Sequence, residues 1–500
     1  MGLLSESSGG PTVGLDIGSS LIKVVEAKPG KDGIQITALG VAPTPPGAIE
    51  NEIIVDPQTL GRAVRQLLSE SGILCKRSVS SVSGQSSVIV RIIEVPKMTS
   101  QELAETMKWE IERHVPFAAN EVVMDFQPIE RPTTSPDDQN MEVLLAVAQQ
   151  EVIGRHLETL FAAGLEPAAI DVEPLAASRA LIEVAGNGAR EQTIAIVNIG
   201  ALATELAVFE KGLLAFPRTL PIAGDAVTRA LSNSLRIPIE QAERLKRERA
   251  AVLLDRAAQI GPAEGISGVQ PVGGFEEPEG TVGLSAPAEE APDAGLGYGY
   301  IPGLGYGSSP EGLKADTGEG GLPDFDIDIG APAAEPAEPV IDFDLSIGED
   351  FAAPPKPQLD LSEPAGGDTG EASLPAPAPI ALSPLGEGGP EEQKDFSQEV
   401  IFDAMSPVLN DLIAEIRRSL EYYVSRFQNQ PARILLCGGT AKMKDLDKLL
   451  QNELGIPVTI ANPLQNVTVF SRSLSEGYLG EVAAIFPVSV GLAIRDMIGE

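Results

Sequence analysis

A short pattern occurs twice in this chain of 500 residues, and it constrains the fold more than any other feature. Leu15-Asp16-Ile17-Gly18 and Val197-Asn198-Ile199-Gly200 each stand at the first turn of three short apolar or alternating runs. Such runs, separated by glycine-containing turns, predict a three-stranded meander. Helical spacing of apolar residues follows each meander. The repetition therefore predicts two similar α/β domains that face each other across a cleft.

The rest of the folded sequence alternates between strand and helix patterns. Outside the meanders, the predicted strands are 78–84, 88–96, 122–128, 143–148, 165–172, 433–436 and 457–461. The predicted helices are 56–69, 100–114, 151–163, 174–184, 224–235, 239–254, 397–427, 444–454 and 481–495. The strands and helix between 88 and 148 would form a compact subdomain of their own.

A long segment of different composition interrupts the second meander domain. From Ala251 to Asp395 there are 28 acidic and 4 basic residues, which give −24 of the total net charge of −36. Few large apolar residues accompany the Pro, Gly and acidic residues, so this segment cannot bury enough surface to offset the entropy of ordering. We predict a disordered insertion at 255–395. Its repeated motif, 324–330 and 342–348, is either drift in a solvated linker or a pair of docking motifs anchored by Phe325 and Phe343.

These patterns divide the chain into five regions. They are a flexible N-terminus at 1–11, domain I at 12–190 with an inserted subdomain at 85–165, the first part of domain II at 191–254, the insertion at 255–395, and the second part of domain II at 396–500. The acidic composition argues against nucleic-acid binding, and no run of about 18 apolar residues predicts a membrane span. Cys75 and Cys437 show no metal-binding spacing, and we expect both to be reduced thiols.

The first repeated turn has the composition of a phosphate-binding hairpin. Backbone N–H groups at Gly18 can approach phosphate oxygens closely, and Ser19 and Ser20 add hydroxyl donors. Lys23 would place an ammonium beside the outer phosphates. Asp16 would repel phosphate, so its expected role is to hold Mg²⁺ through water. An ordinary tight turn remains an alternative for this motif alone.

Two other glycine turns supply candidate contacts from the second domain. Gly200 and Ala201, after Asn198, could present N–H groups to the outer phosphate from the opposite wall. Gly438, Gly439 and Thr440 follow a buried strand and precede a helix, whose N-terminus favours anions. A Gly-Gly pair is also a common strand-to-helix turn.

A charged helix could contact the nucleoside. Glu243 and Lys246 are three residues apart and share a helix face with Arg247, four residues from Glu243. A carboxylate and an ammonium so placed can bind a ribose and an adenine edge. The alternative is a solvated charged face.

Together the four elements resemble, in chain order, the nucleotide pocket of the actin, Hsp70 and FtsA superfamily. Asp16 and Lys23 match the spacing of the actin phosphate hairpin, and Glu243, Lys246 and Arg247 resemble the nucleoside-contacting helix of Hsp70 proteins. The resemblance implies an actin-like fold of two duplicated RNase H-like domains, with ATP and Mg²⁺ as the bound cofactors.

Further segments are similar to the PilM family of type IV pilus assembly proteins, over nearly all of 12–250 and 396–498. They are Asp16–Glu26, Val90–Met98, Trp109–Phe117, Met124–Gln127, Ala242–Lys246, Glu415–Tyr423 and Leu435–Leu450. The segments between 90 and 127 resemble the inserted subdomain of that family. The acidic insertion departs from the usual family pattern.

The resemblance to PilM implies a cytoplasmic ATP-binding scaffold that is peripheral to the inner membrane through its partners and serves pilus assembly and twitching motility. Its partner would be the N-terminal cytoplasmic peptide of a PilN-like membrane protein, bound in a groove within the region 85–130. Links to the pilus motor ATPase and a platform protein are implied as well, and self-association is left open.

Hydrolysis of ATP needs an oriented water and stabilisation of charge in line with the leaving phosphate. The second hairpin carries Asn198 where the superfamily leads us to expect an acid, and an amide cannot accept a proton. Glu173 is the one carboxylate placed like a water-orienting residue, although an acid at a helix N-terminus is also favoured by the helix dipole. We expect ATP binding with at most slow hydrolysis.

Two other classes of protein compete with this interpretation. An FtsA-like protein or filament-forming bacterial actin is one, although FtsA-like proteins should end in an amphipathic membrane helix. The segment Asp496–Glu500 has no such character. A sugar kinase or phosphohydrolase of the same fold is the other, and it would need a further catalytic acid that the sequence does not indicate.

Overall fold

The first meander opens a mixed sheet of six strands. A computed structural model describes residues 10–31, 33–84, 87–131, 139–186, 188–260, 395–470 and 476–498. The first elements are β1 (Thr12–Ile17), β2 (Leu21–Gly30), β3 (Gly33–Pro43), β4 (Ile49–Glu50), β5 (Ile53–Ile54), α1 (Pro57–Glu70) and β6 (Arg77–Val82). Strands β1, β2 and β3 pair antiparallel, and β6 pairs parallel with β1. The predicted meander is therefore confirmed.

Helix α1 shows why the local sequence folds as it does. The carboxylate of Asp56 accepts a hydrogen bond of 2.9 Å from the N–H of Thr59, and Pro57 occupies the first turn. Four apolar side chains at helical spacing face the sheet and are buried, each with a burial free energy of about 1.5–3 kcal/mol. They are Leu60, Val64, Leu67 and Leu68.

The next elements form the inserted subdomain and return to the first sheet. They are β7 (Val88–Pro96), α2 (Ser100–His114), β8 (Val122–Ile129), β9 (Asn140–Gln149), α3 (Gln150–Ala163), β10 (Glu166–Val172) and α4 (Glu173–Ser178). Strands β7, β9 and β8 make an antiparallel sheet with β7 at one edge. Helix α3 shares the first domain's core with α1, so the compact subdomain ends near 149 rather than at the predicted 165.

The second meander opens a sheet with the same strand order as the first. Its elements are β11 (Thr193–Ile199), β12 (Thr204–Glu210), β13 (Leu213–Leu220), α5 (Gly224–Leu235), α6 (Ile239–Arg249), α7 (Leu254–Ile260), α8 (Gln398–Phe427), β14 (Arg433–Cys437), α9 (Leu446–Leu454) and β15 (Val458–Ile460). The order β13-β12-β11-β14-β15 repeats β3-β2-β1-β6-β10 of the first sheet. This repetition confirms the predicted duplication.

The end of the chain returns to the first domain, which differs from the prediction that 396–500 belongs to domain II. The returning elements are β16 (Thr468–Val469), α10 (Glu476–Val482) and α11 (Pro487–Ala493). Strand β16 pairs with β3, and α11 packs on β1 and α4. Pro487 begins α11, so the helix predicted at 481–495 is divided in two.

The predicted start of the insertion, at 255, lies within a described helix. The helix predicted at 239–254 ends at Arg249, because the next residues are extended and run beside Lys444. The N–H of Val252 donates to the carbonyl of Lys444. Helix α7 then packs Leu254 and Ala257 against the second core. Most of the predicted insertion, 261–394, and its repeated motif lie outside the described residues.

The remaining difference concerns the helix predicted at 174–184. Its first half is α4, while Arg179–Glu183 is a π-helix in which the N–H of Val184 bonds to the carbonyl of Arg179. Among the described helices, none has both the length and the apolar character that crossing a bilayer requires.

The contact between α11 and α4 gives a test of the fold. A Cβ at Gly491 would lie 1.6 Å from the carbonyl oxygen of Ala176, and that backbone cannot move without separating the helices. Gly491→Ala should therefore lower the free energy of unfolding by at least about 2 kcal/mol in urea titrations. Gly480→Ala on α10 is the matched control, since a Cβ there meets no atom within 4 Å. Equal stability of the two variants would contradict this packing.

Candidate functional site

The carboxyl end of β1 carries an ion pair. Asp16 lies opposite Lys23 of β2 in register, and its Oδ2 is 2.7 Å from the Lys23 Nζ. Asp16 is buried. The N–H of Gly18 donates to the carbonyl of Leu21 at 3.0 Å and closes the turn between the two strands.

The second hairpin repeats this geometry with different charges. Asn198 of β11 lies opposite Glu205 of β12, and the N–H of Gly200 donates to the carbonyl of Ala203 at 3.0 Å. Glu205 thus occupies the position of Lys23 in the first hairpin. The hydroxyl of Thr219 lies 2.9 Å from both carboxylate oxygens of Glu205.

The third turn brings strand β14 against the second hairpin. Gly438 has φ of +92°, and a Cβ there would lie 2.3 Å from the carbonyl oxygen of Ile199, so only glycine fits. The Thr440 hydroxyl donates to the carbonyl of Gly200 at 3.2 Å. A short 3₁₀ turn follows, Thr440–Lys442, and α9 begins only at Leu446. The expected helix N-terminus directly after the glycines is therefore absent.

Helix α6 presents a connected charged group. The carboxylate of Glu243 is 2.7 Å from both the Lys246 Nζ and the Arg247 Nε. Burial acts to raise the pKa of Glu243, but Lys246 and hydrogen bonds from Lys246, Thr228 and Arg247 hold that pKa below its usual value. Arg247 also donates to the hydroxyl of Ser20 at 3.1 Å, which joins the two domains.

All of the residues that the sequence predicts for the nucleotide site, together with Glu173, line one cavity of about 410 Å³ between the two domains. The set is Asp16, Gly18, Ser19, Ser20, Lys23, Glu173, Asn198, Gly200, Ala201, Glu243, Lys246, Arg247, Gly438, Gly439 and Thr440. Their roles in binding remain predictions. Within the described ranges, no three His, Cys, Asp or Glu side chains are grouped so as to ligate a metal directly. The expected role of Asp16, to hold Mg²⁺ through water, stays a prediction.

Glu173 connects the two halves of the cavity. It begins α4, and Asn198 donates to its carboxylate at 3.3 Å. Burial, with the nearby charge of Asp16, raises the pKa of Glu173 to about 7. Burial, with the charge of Glu173, raises the pKa of Glu205 to about 8. A carboxyl with a pKa near neutrality is suited to accept a proton from water.

A second cavity, of about 200 Å³, adjoins the first. Two edge strands border it, β7 of the subdomain and β13 of the second sheet, with Arg91 and Arg218 among the lining side chains. Glu173 and Glu205 line both cavities. We call this second cavity the β7–β13 groove.

Two family comparisons bear on this architecture. A sequence model of the family described as "Type IV pilus assembly protein PilM" matches residues 14–252, and one of "Cell division protein FtsA" matches residues 195–477. The first match covers the first hairpin, the inserted subdomain, the second hairpin and α6. The chain belongs to the actin-like ATPase superfamily of PilM and FtsA, and over residues 14–252 it matches the PilM family.

Individual proteins show the same two likenesses, to PilM and to FtsA. A solved structure of a PilM-PilN type IV pilus biogenesis complex is 23% identical, with a TM-score of 0.62, and the match covers 98% of this chain and 99% of that chain. At this identity the likeness concerns the fold. Cell division protein FtsA of Bacillus subtilis is 23% identical over 269 residues, or 49% of this chain and 60% of the relative. FtsA of Pseudomonas aeruginosa is also 23% identical, over 64% of its length. The chain thus spans less than two thirds of these curated relatives.

The lining residues that no motif indicated include Glu52, Ser81 and Glu205. Glu205 follows Asn198 by seven residues, as Lys23 follows Asp16, so the duplication itself contained the signal. The hydroxyl of Ser81 is buried and has no hydrogen-bond partner within the described part of the chain. An unpaired buried hydroxyl costs about 1–3 kcal/mol, so this wall of the cavity fits a polar ligand such as a nucleotide with its hydrated cation.

The raised pKa of Glu205 predicts a pH-dependent stability in this chain. In the folded chain the pKa of Glu205 is about 8, above the usual 4.5, so the protonated carboxyl stabilises the fold. This stabilisation is complete below pH 4.5 and is lost as pH rises through about 8. Glu205→Gln should remove this loss. In urea unfolding, the variant should gain on the order of 2 kcal/mol relative to the parent between pH 5 and 8.5.

The exposed Glu240→Gln, on the first turn of α6, is the matched control and should follow the parent at every pH. A Glu205→Gln variant whose stability stays parallel to the parent across this range would show that Glu205 does not carry the extra proton.

Proposed function

We propose that the chain is an ATP-binding scaffold of type IV pilus assembly, in which the nucleotide fixes the relative position of the two domains. The observation that carries this proposal is the convergence of four separate segments on one cavity, in a chain whose residues 14–252 match the PilM family. Arg247 and Ser20 already join the two sides of this cavity, so a ligand there would contact both domains at once.

The lining groups suit a nucleotide at each end. Backbone N–H groups near Gly18 and Gly200 and the ammonium of Lys23 would bind the phosphates. The group around Glu243 and Lys246 would bind the ribose and base. Mg²⁺, held through water by Asp16, would neutralise phosphate charge.

Slow turnover follows from the polar groups at the phosphate end. Asn198 places an amide where a second carboxylate would activate water, and its side chain donates to Glu173. A carboxylate that accepts this bond and has a pKa near neutrality is ionised for only part of the time at neutral pH. Glu173 would therefore be the single residue that orients water, without help from a second carboxylate at position 198.

Nucleotide binding and turnover can be separated in one series. Calorimetry with Mg-ATP should show binding by the parent chain and by Glu173→Gln, because Glu173 is proposed to orient water and not to contact the nucleotide. Lys23→Ala should weaken that binding by at least roughly tenfold, since a charged contact to phosphate is lost. Phosphate release should be slow in the parent chain. Rapid release that Glu173→Gln abolishes would contradict the scaffold proposal, and failure of the parent chain to bind would remove it.

We further propose that the partner is the N-terminal cytoplasmic segment of a PilN-like membrane protein, as in the PilM-PilN complex whose fold the chain shares. The β7–β13 groove offers two strand edges to an extended segment, which is a common mode of peptide recognition. Through this partner the protein would lie at the cytoplasmic face of the inner membrane, linked to the pilus motor.

Trp109 allows the partner proposal to be tested directly. It is the single tryptophan of the chain and lies exposed on α2 of the subdomain. A synthetic PilN-like N-terminal peptide should change its fluorescence with a saturable dependence on concentration. Arg91→Glu, in the groove, should weaken binding by roughly fivefold. Arg113→Glu, exposed on α2, should leave binding unchanged, and equal effects of the two charge reversals would place the peptide elsewhere.

A filament-forming, FtsA-like role is the second candidate, and the match of the FtsA sequence model to residues 195–477 favours it. Sedimentation with Mg-ATP distinguishes the two. Pelleting of filaments without peptide binding would support the FtsA-like role, whereas peptide binding by a non-pelleting chain supports the pilus scaffold.

A further inference from the structure

Ser81 lies beside Asp16 at the carboxyl edge of the first sheet. Strand β6 runs parallel to β1 with Leu15 opposite Ser80, so the next residues along the two strands, Asp16 and Ser81, are neighbours. On its other side Ser81 lies opposite Asp171 of β10. Ser81 lines the cavity that we propose for nucleotide, on the same wall as Asp16.

The serines of β6 differ in how their hydroxyl groups are satisfied. Ser78 donates to the carbonyl of Glu166 at 3.4 Å, and the Ser80 hydroxyl is 2.8 Å from the Nε2 of His156. Ser81 is 5% exposed, and its hydroxyl has no partner within the described ranges. A buried polar group in a native fold is normally hydrogen-bonded, so the partner of Ser81 is expected to come from the cavity.

The charges around Ser81 select the kind of ligand. Asp16, Glu52 and Glu173 line the same cavity, and the charges of Asp16 and Glu52 both raise the pKa of Glu173. Glu52 is the second residue of the two-residue turn between β4 and β5. Its φ of +66° is a backbone conformation that favours glycine, so a side chain at this position has a steric cost. Lys23 pairs with Asp16 and offsets one of these three negative charges, so the net charge of the four groups still favours a cation near Ser81.

The cation would be bound through its water shell. Among the described residues no three acidic, His or Cys side chains are grouped to ligate a metal, so most ligands of the ion would be water and phosphate oxygens. Mg²⁺ commonly keeps several of its waters in proteins. A hydroxyl beside Asp16 is well placed to bond to one of those waters.

We propose that Ser81 is a ligand-contacting residue of this cavity, whose hydroxyl hydrogen-bonds a water of the divalent cation that Asp16 also holds. The proposal rests on the proposed nucleotide site and adds to it a residue on a third strand. It makes Ser81 a determinant of cation-dependent affinity and gives its hydroxyl no role in holding the fold together.

Ser81→Ala and Ser80→Ala form a matched pair on adjacent positions of β6. Without nucleotide, Ser81→Ala should keep or raise the midpoint of urea unfolding, because an unsatisfied hydroxyl is removed, whereas Ser80→Ala should lower it because His156 loses its partner. In calorimetry, Ser81→Ala should weaken binding of Mg-ATP by roughly fivefold and leave binding of ATP in EDTA unchanged. Ser81→Thr, which keeps a hydroxyl, should restore the Mg-ATP affinity.

Two results would overturn the role of Ser81. One is a lower unfolding midpoint for Ser81→Ala with unchanged Mg-ATP affinity, which would make its hydroxyl structural. The other is an equal loss of affinity with and without Mg²⁺, which would place the hydroxyl on the phosphate. Absence of Mg-ATP binding in the parent chain would instead overturn the proposed nucleotide site, before any variant is measured.

Discussion

Parallel pairing at the centre of each sheet determines where every candidate site residue lies. Because β6 runs parallel to β1, and β14 to β11, each pair ends at the same edge of its sheet. Both edges face the cavity, so turns that are far apart in sequence converge there. The close approach of Gly438 to Ile199 is one consequence, since two parallel strands that end together leave no room for a side chain between their turns.

The two halves share this geometry but not its charges. Asp16 faces Lys23 in the first hairpin, while Asn198 faces Glu205 in the second. In the first pair the ammonium of Lys23 balances the charge of the buried Asp16 carboxylate. The second places a carboxyl near Glu173 without a cation of its own, and burial then favours the protonated form of both acids. A duplicated fold can therefore keep a phosphate-binding shape on both sides while only one side carries the balancing cation.

Elements that depend on neighbouring residues could be predicted from the sequence, whereas contacts between distant segments could not. The meanders, the glycine turns and most helix bounds depend on neighbouring residues, and the duplicated order of the sheets follows from them. The return of β16 and α11 to the first domain depends on the shapes of two assembled surfaces. Ser81 and Glu52 sit in ordinary strand and turn sequence, and only the assembled cavity gives them a chemical setting. Glu205 is intermediate, because its equivalence to Lys23 is visible only once the repeat is aligned.

The shared wall formed by Glu173 and Glu205 links the cavity to the β7–β13 groove by electrostatics. A triphosphate in the cavity would add negative charge beside Glu173 and favour its protonated form. Since the charge of Glu173 raises the pKa of Glu205, protonation of Glu173 would in turn ease ionisation of Glu205. Glu205 is held by Thr219 of β13, a strand whose edge borders the groove. A charged ligand in the cavity would therefore alter the ionisation of Glu205 in the groove, without any movement of the two domains.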